Sequence, residues 1–263
     1  MLKVALVLPS AMSASPLPYI PPPPHSPDLM QFLRDTTRPK LAWSTHGGWL
    51  EAGGLNESIL TEQVEAMATK LRSYGWTVIF QDYGFHVCGT TFHPAPLSTP
   101  TVPGCIHVDK HGRPVPSPDR YPSAYTTGNN GSWKNFAGMV HAKGLGFGLH
   151  LTHGIPKVAV RERLPIFGTN FTADEVVRAP RCSTFIADNW NINTSHPGAQ
   201  AYYDSIVSKW AEEGVDFIYF DGVMGESCGC DIASAELMAD SLRRLGNGMY
   251  LISSWGLPAE GEE

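Results

Sequence analysis

The stretch EGVDFIYFDGVMGE, residues 213–226, decides the fold of this chain. A helical pattern runs into Gly214, and an apolar-rich strand over residues 216–220 follows at once. A strand with so few polar residues is typical of a parallel sheet that is covered on both faces. Such a strand presents Asp221 at its carboxyl end, where α/β enzymes keep their reactive groups. The competing interpretation is an Asp that only caps a helix or belongs to a loop.

The same alternation of helix and strand continues on both sides of this stretch. Further short apolar strands are predicted at residues 40–44, 76–81, 146–151 and 249–253. Apolar residues at 3.6-residue spacing predict helices at residues 57–74, 133–143, 199–213 and 232–245. The long segments that show neither period follow strands, at residues 84–130 and 152–196.

This order of elements predicts an α/β fold of the (β/α)8 TIM-barrel type that is truncated after about five strands. A complete barrel of this type has eight strands, whereas the pattern contains five. An open parallel sheet of unusual length is the alternative. Residues 1–38 are expected to form a leader with a signal-like start and a Pro-rich continuation. Residues 39–263 are expected to form a partial barrel catalytic domain.

Composition excludes several classes of function. The chain has 263 residues, of which 42% are hydrophobic and 17% charged, and this suits one globular domain of barrel size. A net charge of −6, a pI near 5.9 and the lack of a Lys/Arg run argue against a nucleic-acid partner. No apolar run reaches the ~18 residues that cross a bilayer, so no membrane partner is expected. No cofactor or metal is predicted.

Cysteines and sequons bear on the location of the protein. With five cysteines one is left over, and Cys88 with Cys105 is the best candidate for a local disulfide. Four N-x-S/T sequons are compatible with a glycoprotein, and they begin at Asn56, Asn130, Asn170 and Asn193. Together with the signal-like start, they predict a secreted or extracellular protein.

Polar side chains gather at the carboxyl ends of the predicted strands. In chain order they are His46, Asp82, Tyr83, His150, His153, Asp221, Ser253, Ser254 and Trp255. Aromatic residues lie near several of them in the sequence: Trp43, Trp49, Phe85, Trp190 and Trp255. Carboxylates framed by aromatic rings and hydroxyl groups suit a sugar site, because sugar rings stack on aromatic faces and sugar hydroxyls need paired acceptors.

Several segments resemble a known family of enzymes. They are QDYGF (81–85), GRPVPSPDRYPSA (112–124), VHAKGLGFGLHLTHGIPKVAV (140–160), LPIFGTNFTADEV (164–176) and HPGAQAYYDSIVSKWAEEGVDFIYFD (196–221). They are similar to the α-galactosidase-like enzymes of glycoside hydrolase family 27 and its clan. The resemblance implies a (β/α)8 barrel and a retaining glycosidase. It also implies that Asp221 is the nucleophile and that Asp82 contacts sugar hydroxyls.

The chain departs from this family at the site. Tyr219 stands two residues before the nucleophile, where the family usually has a Lys that contacts the sugar. His153 stands where an Arg often precedes the GIP segment, and Tyr83 replaces the second Asp of a typical Asp pair. These changes bear on specificity for galactose. The resemblance further implies a general acid/base Asp at the end of a sixth strand, beyond the five strands predicted here.

We therefore expect a retaining α-glycosidase of the α-galactosidase-like kind, with carbohydrate as its substrate. Asp221 is the predicted catalytic residue, and the predicted substrate-binding residues are Asp82, Tyr83, His150, His153, Tyr219, Trp43 and Trp255. One alternative is a catalytically dead barrel fragment that binds sugar. A second is a metal-dependent hydrolase that uses His46, His86, His150, His153 and Asp221, although the sequence has no closely spaced metal-ligand motif.

Overall fold

A parallel sheet of five strands forms the centre of the molecule. The computed structural model describes residues 41–46, 55–88, 105–126, 130–179, 181, 188–223 and 232–254. The sheet strands are β1 (Leu41–Ser44), β2 (Trp76–Gln81), β3 (Gly146–Thr152), β4 (Phe217–Asp221) and β5 (Tyr250–Ser253). They lie side by side in chain order, and each neighbouring pair is parallel.

Helices connect the strands. They are α1 (Glu57–Ala66), α2 (Lys134–Ala142), α3 (Lys157–Arg161), α4 (Pro197–Glu212) and α5 (Ile232–Leu245). Asn56 caps α1, because its side chain accepts a hydrogen bond from the Ile59 backbone N–H at 3.0 Å. The single helix predicted at residues 57–74 is instead α-helical only in its first part. It continues as a π-helical turn, Met67–Leu71, and a 3₁₀ turn, Arg72–Tyr74.

The uninterrupted strand order distinguishes a barrel wall from a doubly wound sheet. In a doubly wound sheet the strand order reverses, and helices then cover both faces. Here the order never reverses, so right-handed crossovers place the connecting helices on one face. The described chain therefore supplies five consecutive strands of a (β/α) barrel, and this confirms the predicted fold class.

The two faces of the sheet carry different cores. The larger core lies on the helix side, where the buried strand residues are Ile79, Phe147, Leu149, Leu151, Ile218 and Phe220. The smaller cluster lies on the inner face and comprises Val78, Phe80 and Phe217, with Ala42, Tyr219, Tyr250 and Ile252 packed against it. Side chains alternate along a strand, so residues two positions apart lie on the same face. The inner-facing residues that follow this cluster towards the carboxyl end of each strand therefore lie at the rim.

Gly148 on β3 makes the inner cluster possible. A Cβ atom at this position would overlap the Phe217 ring and lie 2.9 Å from Phe80 Cβ. The space is used by an edge-to-face contact between these two rings, whose centroids are 5.2 Å apart. The glycine therefore allows β2 and β4 to pack aromatic rings across β3.

A disulfide and the hydrogen bonds of a buried arginine hold the long segment after β2. Cys88 and Cys105 form a disulfide with a Cα–Cα distance of 5.5 Å, which confirms the predicted pair. The buried Arg120 donates from Nη1 to the Leu55 carbonyl at 3.1 Å and from Nη2 to the Val87 carbonyl at 2.7 Å. The disulfide and these hydrogen bonds position the turn that follows β2. This turn carries part of the site.

Residues 1–40 lie outside the described part of the chain, so the predicted leader stays a prediction. Within the described ranges, no helix has both the length and the apolar character needed to cross a membrane.

Replacing Gly148 by Ala should destabilise the fold by roughly 1–3 kcal/mol, because overpacking forces close-packed neighbours apart. The measurement is the free energy of unfolding in urea. Gly138→Ala on α2 is the matched control, since nothing lies within 4 Å of its added Cβ atom. Alanine is the better helix former, so the control should stabilise the protein by about 0.5–1 kcal/mol. Equal effects of the two substitutions would contradict the packing argument.

Candidate active site at the carboxyl rim

The strand register brings the predicted residues together at one rim of the sheet. On β3 and β4, His150 pairs with Tyr219 and Thr152 pairs with Asp221. Asp82 directly follows β2, whose Gln81 pairs with Leu149 next to His150. Because these strands are parallel, their carboxyl ends face the same side.

Asp221 is held by donors on both of its oxygens. His150 Nε2 lies 3.1 Å from Asp221 Oδ2, and the Gly222 backbone N–H donates to Oδ1 at 2.8 Å. Gly222 has a φ of 81°, in the left-handed region that favours glycine, so the chain turns away immediately after the carboxylate. Burial acts to raise the pKa of Asp221, but the hydrogen bonds and charge of His150, with smaller help from Ser254 and Gly222, lower the pKa overall. Asp221 is therefore ionised at neutral pH.

Asp82 is the second carboxylate at the rim. Ser44 Oγ donates to its Oδ2 at 2.8 Å, and the Tyr83 backbone N–H donates to its Oδ1 at 2.7 Å. Burial acts to raise the pKa of Asp82, but bonds from His46, Tyr83 and Ser44 and the charge of His150 outweigh it and lower the pKa to about 2. Asp82 is thus an acceptor that stays charged across the physiological pH range.

Tyr219 lies near both carboxylates and forms a hydrogen bond at the end of β5. Its ring stacks on Phe80 with centroids 5.2 Å apart, and its centroid is 5.6 Å from that of His150. Its hydroxyl donates to Ser254 Oγ at 2.9 Å. Ser254 also forms a hydrogen bond with Asp221, so the phenol is linked to the carboxylate through this serine.

Tyr83 and Asp188 form a further pair beside His150. The Tyr83 ring lies edge-on to His150 with centroids 5.6 Å apart, and its hydroxyl donates to the Asp188 carboxylate. Burial raises the pKa of Asp188, although the Tyr83 hydroxyl and Lys157 oppose the increase. A short antiparallel ladder fixes this position by pairing Ile155–Pro156 with Asn189–Trp190.

Two predicted site residues, His153 and Trp43, have other positions. His153 is fully buried and contributes through its backbone: its N–H donates to the Asp221 carbonyl at 3.0 Å. Trp43 lies on the helix side of β1, where its Nε1 donates to Gln63 Oε1 at 3.0 Å and its ring packs edge-on against Trp76. The structure therefore does not bring the Trp43 side chain to the rim, because Ala42 and the rim-facing side chain of Ser44 occupy the inner positions of β1. Trp255 lies outside the described residues.

Some rim residues escaped the prediction. Ser44 could have been found from strand alternation, since it lies at an inner position at a strand end. Ser254 was already among the polar residues expected at the strand ends. Asp188 had no such signal, because it belongs to a long segment without periodicity.

A second aspartate, at the amino end of β4, has a structural role. Asp216 directly precedes β4, at the amino end of the sheet, and its Oδ2 lies 2.8 Å from both His141 Nε2 and the Phe147 backbone N. The side chains of His141 and Asp216 are both buried, with exposed fractions of 2% and 6%. Asp216 ties α2 and β3 to β4, which is the stabilising role expected at the amino end of barrel strands.

The metal-dependent alternative finds no support at this rim. Within the part of the chain that the structure describes, no three His, Cys, Asp or Glu side chains are grouped so that they could hold a metal ion.

Comparison with known proteins identifies the class of this fold and site. No family model matches the chain. It is 26% identical over 157 residues to alpha-galactosidase 3 of Hypocrea jecorina, which covers 57% of this chain and 23% of that protein. A β-L-arabinopyranosidase of glycoside hydrolase family 27 from Geobacillus stearothermophilus superposes with a TM-score of 0.73 and 28% identity, over 87% of this chain and 50% of that one. An isomalto-dextranase of Arthrobacter globiformis, 12% identical with a TM-score of 0.56, shares the fold alone, over 80% of this chain and 34% of that one.

The molecule is thus a (β/α)-barrel protein whose relatives are glycosidases. The predicted resemblance to the α-galactosidase-like enzymes of glycoside hydrolase family 27 is confirmed. The chain spans about half the length of the arabinopyranosidase and under a quarter of the curated relative.

Lowering the pH should destabilise the protein through Asp82. Its folded-state pKa of about 2 lies below the ordinary value of 3.8, so the unfolded chain takes up this proton first. The contribution is present above about pH 4 and is lost towards pH 2, and it amounts to roughly 2 kcal/mol. The measurement is the free energy of unfolding in urea at several pH values. Asp82→Asn should show a correspondingly weaker pH dependence, whereas Glu62→Gln, an exposed carboxylate change on α1, should match the wild type. Equal pH dependences for all three proteins would refute the assignment.

Proposed function

We propose that this chain carries the nucleophile and part of the sugar-binding surface of a retaining α-glycosidase. The observation that carries the proposal is Asp221, an ionised carboxylate at the carboxyl end of a central barrel strand, hydrogen-bonded to His150 at 3.1 Å. An ionised carboxylate in this position is the group that attacks an anomeric carbon in retaining glycosidases.

The chemistry follows from this carboxylate. One oxygen of Asp221 attacks the anomeric carbon and the bond to the leaving oxygen breaks, which forms a glycosyl-enzyme ester. Water then attacks the same carbon and releases Asp221, so that the anomeric configuration is retained. His150 and Gly222 hold the carboxylate by one oxygen each, so its orientation is set before the sugar arrives.

The substrate class is a pyranoside whose hydroxyls reach Asp82. A carboxylate with a pKa of about 2 remains a strong acceptor for sugar hydroxyls at any physiological pH. The relatives support this class, since their names are those of an α-galactosidase and a β-L-arabinopyranosidase. Tyr219 offers a neutral phenol that is engaged with Ser254, so we expect a sugar preference different from that of simple galactosides.

A retaining glycosidase also needs a general acid/base, which protonates the leaving oxygen and then activates water. Asp82 cannot supply it, because a group with a pKa of about 2 holds no proton to donate at neutral pH. Asp188 has a raised pKa, but its carboxylate already accepts the Tyr83 hydroxyl. Sugar binding without turnover is therefore the second candidate function. A substrate whose leaving group departs without protonation distinguishes a glycosidase from a sugar-binding protein, because only the glycosidase reacts with it.

A mechanism-based fluorosugar with a leaving group that departs without protonation should label Asp221. Formation of the glycosyl-enzyme needs only the nucleophile with such a reagent, and the fluorine slows its hydrolysis. The measurement is intact mass followed by peptide mapping of the 263-residue chain. Asp221→Asn should lose the label while keeping its unfolding midpoint and its sugar affinity within about threefold.

Asp174→Asn is the matched control, since Asp174 forms an ion pair with the exposed Arg163. It should be labelled like the wild type. Labelling at a residue other than Asp221 would refute the assignment of the nucleophile. Sugar binding with no labelling at all would instead favour the non-catalytic function.

We also infer that the protein resides in an oxidising compartment. The support is the Cys88–Cys105 disulfide, because structural disulfides persist outside the reducing cytosol. Alkylation of thiols in freshly lysed producing cells should leave these two cysteines unmodified until a reductant is added. Their modification without reductant would contradict the inference.

A further inference from the structure

A tight hairpin turn lies at the surface between α3 and α4. Pro165 and Thr172 pair as an antiparallel bridge and close its base. Within the turn, the Thr169 backbone N–H donates to the Ile166 carbonyl at 3.1 Å, and Gly168 has a φ of 76°. A four-residue turn whose third residue is left-handed is of type II, and glycine is favoured at that position. The conformation of the hairpin is therefore set by its own short sequence.

Phe167 occupies the second position of this turn, and 53% of its surface is exposed. The Arg113 guanidinium lies over the ring, 5.4 Å from its centroid, and His111 meets the ring edge-on with centroids 5.1 Å apart. These contacts hold the ring in place but cover only part of it. An apolar partner for the exposed part of Phe167 would remove that surface from water and stabilise the protein.

Asn170 lies beside Phe167 and begins one of the N-x-S/T sequons. The Ile166 backbone N–H donates to the Phe171 carbonyl at 2.9 Å, so Phe167 and Asn170 are the first and last residues of the loop that this bond closes. The Asn170 side chain is exposed, and among the described residues it has no hydrogen-bond partner. A Cβ atom added at Gly168 would meet nothing within 4 Å, so the space around the loop is open.

The other three sequons lack this combination. Asn56 is half-buried, and its side-chain oxygen accepts from the Ile59 backbone N–H. Asn193 is also half-buried, and its side-chain oxygen accepts from the Ser195 backbone N–H at 3.2 Å. Asn130 is exposed, but the residue three positions before it is not aromatic. Of the four sequons, only the one in the hairpin has an exposed asparagine next to an exposed aromatic ring.

We propose that Asn170 carries an N-linked glycan whose first sugar packs on the exposed part of the Phe167 ring. The donor is an oligosaccharide that is joined through its anomeric carbon to a lipid diphosphate, the form in which a secretory pathway supplies it. The Asn170 Nδ2 atom forms a bond to that carbon and loses one proton to solvent. The bond from the carbon to the diphosphate oxygen breaks and the lipid diphosphate leaves, so nothing is oxidised or reduced.

The Phe167 ring suits the first sugar of such a glycan. The C–H groups on one face of a pyranose carry a slight positive charge, whereas the face of an aromatic ring is negative. Because the hairpin and Arg113 hold the ring before the glycan is attached, little conformational entropy is lost when the sugar packs on it. The inference is independent of the proposed glycosidase activity, since this sugar is a covalent attachment and not a substrate.

The first measurement is the occupancy of Asn170. The 263-residue chain is produced through the secretory pathway of yeast and treated with a peptide N-glycosidase in heavy-oxygen water. This enzyme converts each glycosylated asparagine into a labelled aspartate, which peptide mapping by mass spectrometry locates. More than half of the molecules should carry the label at residue 170. A chain without the label there would overturn the inference.

A double-mutant cycle tests the contact with Phe167. Asn170→Gln removes the glycan and should lower the midpoint of thermal unfolding by about 2–4 °C, which corresponds to the loss of one aromatic contact in a domain of this size. In a Phe167→Ala background the same substitution should lower the midpoint by less than about 1 °C. Tyr74→Ala is the matched control background, because Tyr74 is an aromatic residue with 77% of its surface exposed and lies in the turn before β2. There Asn170→Gln should act as in the wild type.

Trimming the glycan distinguishes its first sugar from the rest. An endoglycosidase that leaves only the first sugar on Asn170 should change the midpoint of the wild type by less than about 1 °C, because the contact with Phe167 is kept. A decrease as large as that of Asn170→Gln would contradict packing by the first sugar. Equal effects of Asn170→Gln in the wild type and in the Phe167→Ala background would overturn the contact with the ring.

Discussion

The parallel register between β3 and β4 is the constraint on which the site depends. It pairs Thr152 with Asp221, and the preceding inner residue, His150, then comes within 3.1 Å of the carboxylate. A shift by one residue would turn His150 to the helix side and bring a leucine to the rim, because side chains alternate with a period of two. Gly148 protects this register, since the Phe217 ring occupies the space where a side chain would lie.

Two histidine–aspartate contacts at opposite ends of β4 show how position determines role. Asp216 and His141 are both buried, and the same carboxylate oxygen also accepts a backbone N–H, so that pair is closed to any ligand. Asp221 and His150 lie at the carboxyl rim, where the Asp221 side chain keeps 15% of its surface exposed. The chemical pair is the same in both places. The carboxylate of the rim pair is more exposed, at 15% against 6% for Asp216.

The number of hydrogen-bonding and charged partners decides which of the rim carboxyls keeps a low pKa. Burial alone would raise the pKa of all three. Asp82 and Asp221 each accept several hydrogen bonds and lie near His150, so their pKa values are lowered. Burial raises the pKa of Asp188, and the Tyr83 hydroxyl and the charge of Lys157 do not compensate. Acids whose pKa values are pushed apart within one small region are typical of sites that handle charge during a reaction.

Local pattern predicted the succession of helices and strands and placed Asp82, His150 and Asp221 at strand ends, whereas the strand order that separates a barrel wall from a doubly wound sheet came from the structure. This is possible because a buried parallel strand has a short-range signature, and the carboxyl ends of such strands must meet at one rim. Only the tertiary structure decided that Trp43 faces the helix side and that Asp188 joins the site. A tryptophan is compatible with either face of an edge strand, so packing against α1 determines its direction. Asp188 reaches His150 through pairing between two segments of a long loop, and such non-local contacts leave no periodic signal in the sequence.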